Sequence, residues 1–397
     1  MTTKIPTIKQ LSGQWADEFI QIRHHLHAHP ELSFQEYETS KFVQHKLKEF
    51  GIPSSVLAET GVVALVHGKN PGKKVVALRA DMDALPILEE NEITYKSTNK
   101  GVMHACGHDV HTTCLLGAAK LLKHFENEWE GTVKLIFQPG EEKDPGGASL
   151  MIKDGALENP KPAAIIGLHV TPEMEVGRLG FRSGIAMASA DEIYITIKGR
   201  GGHAASPHLT TDIILVASHI VVALQQIISR NNDPFSPSVL SICAFNGGYT
   251  TNVIPSEVKL MGTFRAMDEG WRFKAHELIK KKVNAIAEGM GATAEISIPV
   301  GYPCLINDKR ATVLAQSFAE DFIGKEKVDT INMRMGAEDF SFYSQKIPAC
   351  FYRLGVGNPS KGITSGVHTP LFNIDEKAIE TGMGSMAFLA MQMLKEI

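Results

Sequence analysis

A chain of 397 residues and 43.3 kDa exceeds what one ordinary hydrophobic core organises, so two domains are expected. Its 43% apolar and 21% charged residues are those of a soluble globular protein, and a net charge of −4 argues against nucleic acid or an anionic membrane as partner. No stretch approaches the ~18 apolar residues of a membrane span, Met1 to Trp15 shows no secretory pattern, and five cysteines without a pairing pattern fit a reducing compartment, which makes the cytoplasm the expected address.

Residues 14–29 and 36–50 read as amphipathic helices, the second stopped by Gly51-Ile52-Pro53. Strand-like runs follow at 61–67 and 74–80, the latter ending in Asp81-Met82-Asp83. A helix is predicted over 109–129 with Asp109 as its cap, then strands at 132–138 and 163–169. This alternation predicts the α/β class, with a mostly parallel sheet covered by helices.

Near residue 185 the texture changes. Asp191 to Lys198 alternates apolar and polar residues, as a half-exposed strand does. A helix over 210–230, strands at 238–245 and 257–265, a helix over 269–289 and a strand at 293–299 complete a β-α-β-β-α-β order. That order is the split βαβ, ferredoxin-like arrangement, with helices on one face of an antiparallel sheet and the other face free. A free face or edge invites pairing with a second copy. After Tyr302-Pro303 the first texture returns, with a helix over 308–324, an apolar strand at 349–356 and a helix over 375–395. The expected division is a discontinuous domain of residues 1–186 and 301–397, interrupted by an inserted α+β domain at 187–300, with Gly184 and Gly301 as hinge candidates.

The chemistry concentrates in Met103-His104-Ala105-Cys106-Gly107-His108-Asp109. Thiolate and imidazole suit zinc, nickel or cobalt better than magnesium or calcium, and residues two apart point alike where the backbone is extended. Further donors follow apolar runs: Glu141-Glu142 after 132–138, His169 at the end of 163–169, and His368 in a loop beside Pro370. In parallel α/β sheets ligands bind beyond the carboxyl ends of the strands, so donors placed there converge. Cys106, His108, Glu142, His169 and His368 are more ligands than one tetrahedral ion uses. Two ions roughly 3.5–4 Å apart, sharing a bridging ligand, would use them all. Taken singly, each has a plain alternative: a buried apolar thiol, a hydrogen-bonded strand-end histidine, a solvated pair of glutamates.

The ordered set of motifs resembles the dinuclear-metal amidohydrolases of the aminoacylase and carboxypeptidase superfamily, in the branch of hippurate hydrolases, N-acetyl-amino-acid deacetylases and auxin-conjugate hydrolases. The motifs are Arg23-His24-His25-Leu26-His27 with His29-Pro30-Glu31, then Arg79 to Pro86, Met103 to Asp109 and Gln138-Pro139-Gly140-Glu141-Glu142. They continue with Gly167-Leu168-His169, Gly202-His203-Ala204-Ala205, Asn252-Val253-Ile254-Pro255, Gly262-Thr263-Phe264-Arg265, Gly336 to Phe340 and Val367-His368-Thr369-Pro370. Gly140 departs from the alanine that commonly precedes the glutamates.

The resemblance implies that Cys106, His108, Glu142, His169 and His368 hold two divalent ions, zinc or manganese first and nickel or cobalt next. It makes Glu141 the general base, against a second reading as a ligand. Asp83 becomes the carboxylate that orients a histidine ligand, against a turn or cap role. His203 becomes a donor to the substrate carbonyl in the partner subunit's site, against a surface loop histidine. Asn252 and Arg265 become the pair that recognises the free carboxylate of an amino acid, against a salt-bridged sheet arginine. The implied activity is hydrolysis of N-acyl amino acids by a homodimer or higher homo-oligomer assembled through the inserted lid. A dipeptidase or carboxypeptidase, a non-catalytic metal-binding relative and cysteine-nucleophile chemistry are the alternatives.

Overall fold

The computed structural model describes residues 5–396; the first four residues of the segment read for a secretory pattern lie outside the described residues. The chain divides into two compact units. One takes the described residues up to Gly184, then Ile306–Asn332 and everything from Asp339 onward; the other takes Ile185–Leu305 and Met333–Glu338.

The first unit opens with helices α1 (Ile5–Ala28) and α2 (Tyr37–Glu49). Strands β1 (Ser54–Leu57), β2 (Gly61–His67) and β3 (Val75–Asp81) lead to helix α3 (His108–His124). Then come β4 (Thr132–Gln138), α4 (Gly147–Lys153), β5 (Ala164–Glu175) and β6 (Leu179–Phe181). A short strand, β7 (Gly184–Met187), lies where the chain leaves this unit.

In the second unit, β8 (Asp191–Lys198), β9 (Gly202–His203), α5 (Ile213–Gln226), β10 (Ser238–Asn246), β11 (Val253–Ile254), β12 (Glu257–Ala266), α6 (Glu269–Gly289) and β13 (Thr293–Ser297) follow in order. β14 (Leu305–Asn307) marks the return. The first unit closes with α7 (Lys309–Ile323), β15 (Val328–Thr330), α8 (Ser341–Ser344), β16 (Ala349–Gly357) and α9 (Lys377–Glu396).

The large sheet runs β1-β2-β4-β3-β5-β16-β6-β15. Its centre, β4-β3-β5-β16, is parallel, while β1 and β2 pair antiparallel at one side. β3 and β4 are buried at every position, as strands covered on both faces must be, which is why apolar residues predominate in both, with Arg79, Asp81, Lys134 and Gln138 as buried polar exceptions. α3 is buried around nearly its whole circumference and fills the space over the sheet. The fold class is the expected α/β. Residues at the end of β3 and just past β4 therefore emerge at one edge of the sheet, whereas His169, expected at a strand end, lies inside β5, which continues to Glu175.

The second unit has its own core. Its sheet order β10-β12-β8-β13 is antiparallel throughout and, with α5 and α6, gives the ferredoxin-like order. β8 alternates buried and exposed positions as its sequence does. α5 continues as a π-turn, Ile227–Asn231, and the stretch Ile213–Asn231 is long and apolar enough to cross a membrane by length and composition, although Ser218, His219, Gln225 and Gln226 interrupt its apolar run. One stripe of it (Ile213, Val216, Ala217, Ile220, Leu224 and Ile227) is buried in this unit's core.

Candidate metal centre

The turn before α3 sets the site. Gly107 has φ +85°, and a Cβ there would stand 2.4 Å from the Val170 side chain. Only glycine fits both the left-handed backbone and that contact. Cys106 and His108 therefore converge through a left-handed turn into the helix, and not through the extended backbone expected from their spacing. The cap reading of Asp109 is also corrected. Gly107 occupies the cap position and α3 starts at His108, while buried Asp109 accepts from Arg23 Nε at 2.8 Å and pairs with His27 Nδ1 at 2.9 Å. Burial pushes the Asp109 carboxyl up, but Arg23 and His27 outweigh it and hold it far below the usual carboxylate range.

Donors from three more segments meet this turn. Cys106 Sγ lies 3.4 Å from His169 Nε2 and 3.3 Å from His368 Nε2, and His368 Nε2 lies 3.0 Å from Glu142 Oε1. The His368 N–H donates to the Ala105 carbonyl at 2.7 Å, docking its loop beside the thiol, and His368 itself is held at φ +62°. Such a conformation costs a non-glycine residue about 1–3 kcal/mol and is typical of functional loops. Cys106, His108 and His169 form one triad with donor atoms within 4.8 Å of one another, and Cys106, Glu142 and His368 form another. Cys106 is common to both. His108, Glu141 and Glu142 form a third such group.

The donor set fits divalent cations. His108 Nδ1 is engaged by the Asp83 carbonyl at 2.9 Å and its Oδ1 at 3.1 Å, so in the neutral ring the hydrogen sits on Nδ1 and the lone pair on Nε2. That buried Nε2 has no hydrogen-bond partner and faces Glu141 and Glu142, each at 4.0 Å. His169 Nδ1 donates to the Val170 carbonyl at 2.7 Å, which likewise leaves Nε2 as a lone-pair donor toward Cys106. Burial, then Glu142, Glu141 and Asp81, push the Cys106 thiol well above its ordinary range. Burial lowers His108, but Asp81 and Asp83 outweigh it and push the ring up to about 10. A surplus of negative charge around buried lone pairs is the environment a cation neutralises.

Asp83 lies where the sequence put it, on His108, and its Oδ2 also accepts from Ser33 Oγ at 2.6 Å and from the Glu142 N–H at 3.0 Å. Glu141 Oε1 accepts from the Asp339 N–H at 3.4 Å.

Several supporting residues were passed over in the sequence. His111 pairs with Asp81 at 2.5 Å, and its Nε2 accepts from the Val170 N–H at 2.9 Å, beside His169. Arg79 donates to Asp81 at 2.6 Å and to Asp339 at 2.7 Å. Asp81, Arg79, Arg23, His27 and Asp339 all lie inside the motifs quoted above, but apart from the Arg79–Asp81 pair these bonds join residues distant in sequence, so membership in a motif was the main signal.

In the second unit, His203 and Asn252 are brought together. β9 pairs with β11, His203 opposite Val253, and the Ala204 N–H donates to the Asn252 carbonyl at 3.0 Å. The Ala205 N–H donates to His203 Nδ1 at 3.0 Å, so in the neutral ring the hydrogen is on Nε2. Arg265 lies on β12, opposite Val239 of β10.

A catalytic-type donor cluster at the edge of an α/β sheet, in a chain that also carries an independent ferredoxin-like unit, defines a metal-dependent amidohydrolase or peptidase. Residues 77–392 match peptidase family M20/M25/M40, and the chain belongs to that family. It is 44% identical over 301 residues to an N-acyl-L-amino acid amidohydrolase of Geobacillus stearothermophilus, covering 76% of this chain and 80% of that one. It is 38% identical over 380 residues to thermostable carboxypeptidase 2 of Saccharolobus solfataricus, covering 95% of each. Among solved structures, a dinuclear metal binding peptidase of the M20 family from Bacillus subtilis superposes with a TM-score of 0.84 at 35% identity, covering 97% of this chain and 99% of that one.

Proposed function

We propose that this enzyme hydrolyses the amide bond of N-acyl amino acids, releasing a carboxylic acid and a free amino acid. The observation that carries the reading is the pair of donor triads sharing Cys106, with Glu141 at their border. Cys106, His108 and His169 would hold one divalent ion, and Cys106, Glu142 and His368 the other, zinc or manganese before nickel or cobalt given the mixed S, N and O donors. When bound, such ions supply Lewis acidity that polarises the scissile carbonyl and makes water acidic near neutral pH.

The chain's own residues do the rest. Glu141 takes the proton from the attacking water and hands it to the leaving nitrogen. Asp83 fixes the His108 tautomer, so that Nε2 keeps its lone pair. His203, with its hydrogen on Nε2, donates to the carbonyl oxygen, and Asn252 and Arg265 take the free carboxylate of the amino-acid half. Likeness to the amidohydrolase of Geobacillus stearothermophilus supports the substrate class. We further propose self-association through the second unit, whose free sheet face exposes Tyr194, Val239 and Met261; sedimentation gives the mass that decides it.

Likeness to the carboxypeptidase of Saccharolobus solfataricus favours a second reading, cleavage of peptides. A panel of acetyl-, benzoyl- and indole-acetyl-amino acids beside dipeptides, assayed with a chelator and then with Zn²⁺, Mn²⁺, Co²⁺ or Ni²⁺, tests both. Turnover of N-acyl amino acids that a chelator abolishes and a metal restores is expected. Turnover of dipeptides alone would replace the first reading with the second, and chelator-resistant turnover would remove the metal centre from the mechanism.

A further inference from the structure

Glu141 and Glu142 leave β4 in a turn whose amides are claimed on both sides. The Glu142 N–H goes to Asp83, as described, and the Gly140 N–H donates to Glu36 Oε1 at 2.8 Å. The Gly140 carbonyl accepts from the Gly147 N–H at 2.9 Å. Glu36 is fully buried, 104 residues earlier in the chain. It stands at the cap position of α2, yet its side chain makes no bond to that helix. Its Oε1 also accepts from the Phe34 N–H at 2.9 Å and its Oε2 from Thr60 Oγ at 2.8 Å.

A glutamate turned away from its own helix toward a distant turn is not a capping residue. Both partners of the turn are also conformationally unusual. Gly140 has φ +57° and Phe34 φ +65°, and a Cβ on Gly140 would lie 2.2 Å from the Phe34 ring. The glycine at position 140 is what lets Phe34 close on the turn. One carboxyl thus fixes both halves of that contact, through the Phe34 amide and the Gly140 amide.

We infer that Glu36 is a positioning residue for the metal centre, setting through the Gly140 amide the turn that presents Glu141 and Glu142. The inference rests on the roles proposed for those two glutamates. It does not depend on the charge of Glu36. Burial, then the neighbouring Asp83, push its carboxyl up to about 7. Either protonation state leaves Oε1 to accept the two amides, with Thr60 adjusting at Oε2.

The test is amide exchange across residues 138–146 in metal-free protein, with metal affinity measured by competition against a chelator. Glu36→Ala is expected to speed exchange at Gly140 to Glu142 and to weaken metal binding by about 10–100-fold. At saturating metal, kcat is expected to fall by about 10²-fold with KM little changed, as for misplacement of a catalytic group. Glu36→Gln, which keeps an acceptor oxygen for both amides, should restore slow exchange and metal affinity. If Glu36→Ala does not fold, Glu36→Asp withdraws the oxygen by one methylene and carries the same expectation as the alanine variant. Wild-type exchange and affinity in the alanine or aspartate variant would overturn the inference, whatever the change in melting temperature. Should the wild type hydrolyse no N-acyl amino acid, the proposed substrate class fails while exchange and affinity still decide the role of Glu36.

Discussion

Glu141 and Cys106 carry opposite kinds of dependence, and substitutions separate them. Glu141→Gln keeps volume and removes the proton acceptor, so kcat is expected to fall by about 10²–10⁴-fold with metal content unchanged by elemental analysis. Full activity would remove the general-base assignment. Cys106→Ala removes the donor common to both triads and is expected to lower metal content itself; an unchanged count of ions per chain would refute its ligand role. Both residues were legible in the sequence because Glu141 follows an apolar strand and Cys106 sits at a helix start. What holds them was not. Asp109 looked like a helix cap from its position, yet it is spent on Arg23 and His27, residues 86 and 82 positions away.

Among elements, the entry into α3 is the most constrained. Gly107→Ala adds a Cβ against Val170 and forces a left-handed alanine. The expected cost is about 2 kcal/mol or more, read by denaturant unfolding, together with weaker metal binding because Cys106 and His108 diverge. In the second unit β8 begins at buried Asp191, which accepts from Arg272 at 2.8 and 2.5 Å and pairs with His276 at 2.8 Å. Burial pushes this carboxyl up, but Arg272 and His276 outweigh it and hold it at about 2, below its ordinary 3.8. A lowered folded pKa contributes stability above the unfolded value and loses it as pH falls through the folded one. The difference in unfolding free energy between wild type and Asp191→Asn is therefore expected to shrink as pH falls from about 4 to about 2, by about 2 kcal/mol. A difference independent of pH would show that the pair contributes no charge-dependent stability.

At the scale of the whole molecule, each unit has its own core, and the proposed ligands all belong to the first. Chelation is expected to raise amide exchange around residues 104–111, 138–143 and 366–370 while leaving β8 and β12 as they were, since a ligand stabilises the elements it binds. Equal change in both units would contradict a metal centre confined to the first.

The amino-acid sequence alone determined the kinds of elements and their order. Predominantly apolar runs made β3 and β4 buried strands, strict alternation made β8 a half-exposed one, and motif residues marked the donors. Periodicity and residue type are local properties, so they can be read locally. Tertiary structure decided the left-handed Gly107, the turning of Asp109 toward α1, the seat of His111 under Val170 and the reach of Glu36 to Gly140. Each of those joins segments tens of residues apart, and a hydrogen bond has a partner only once folding has fixed where both ends lie.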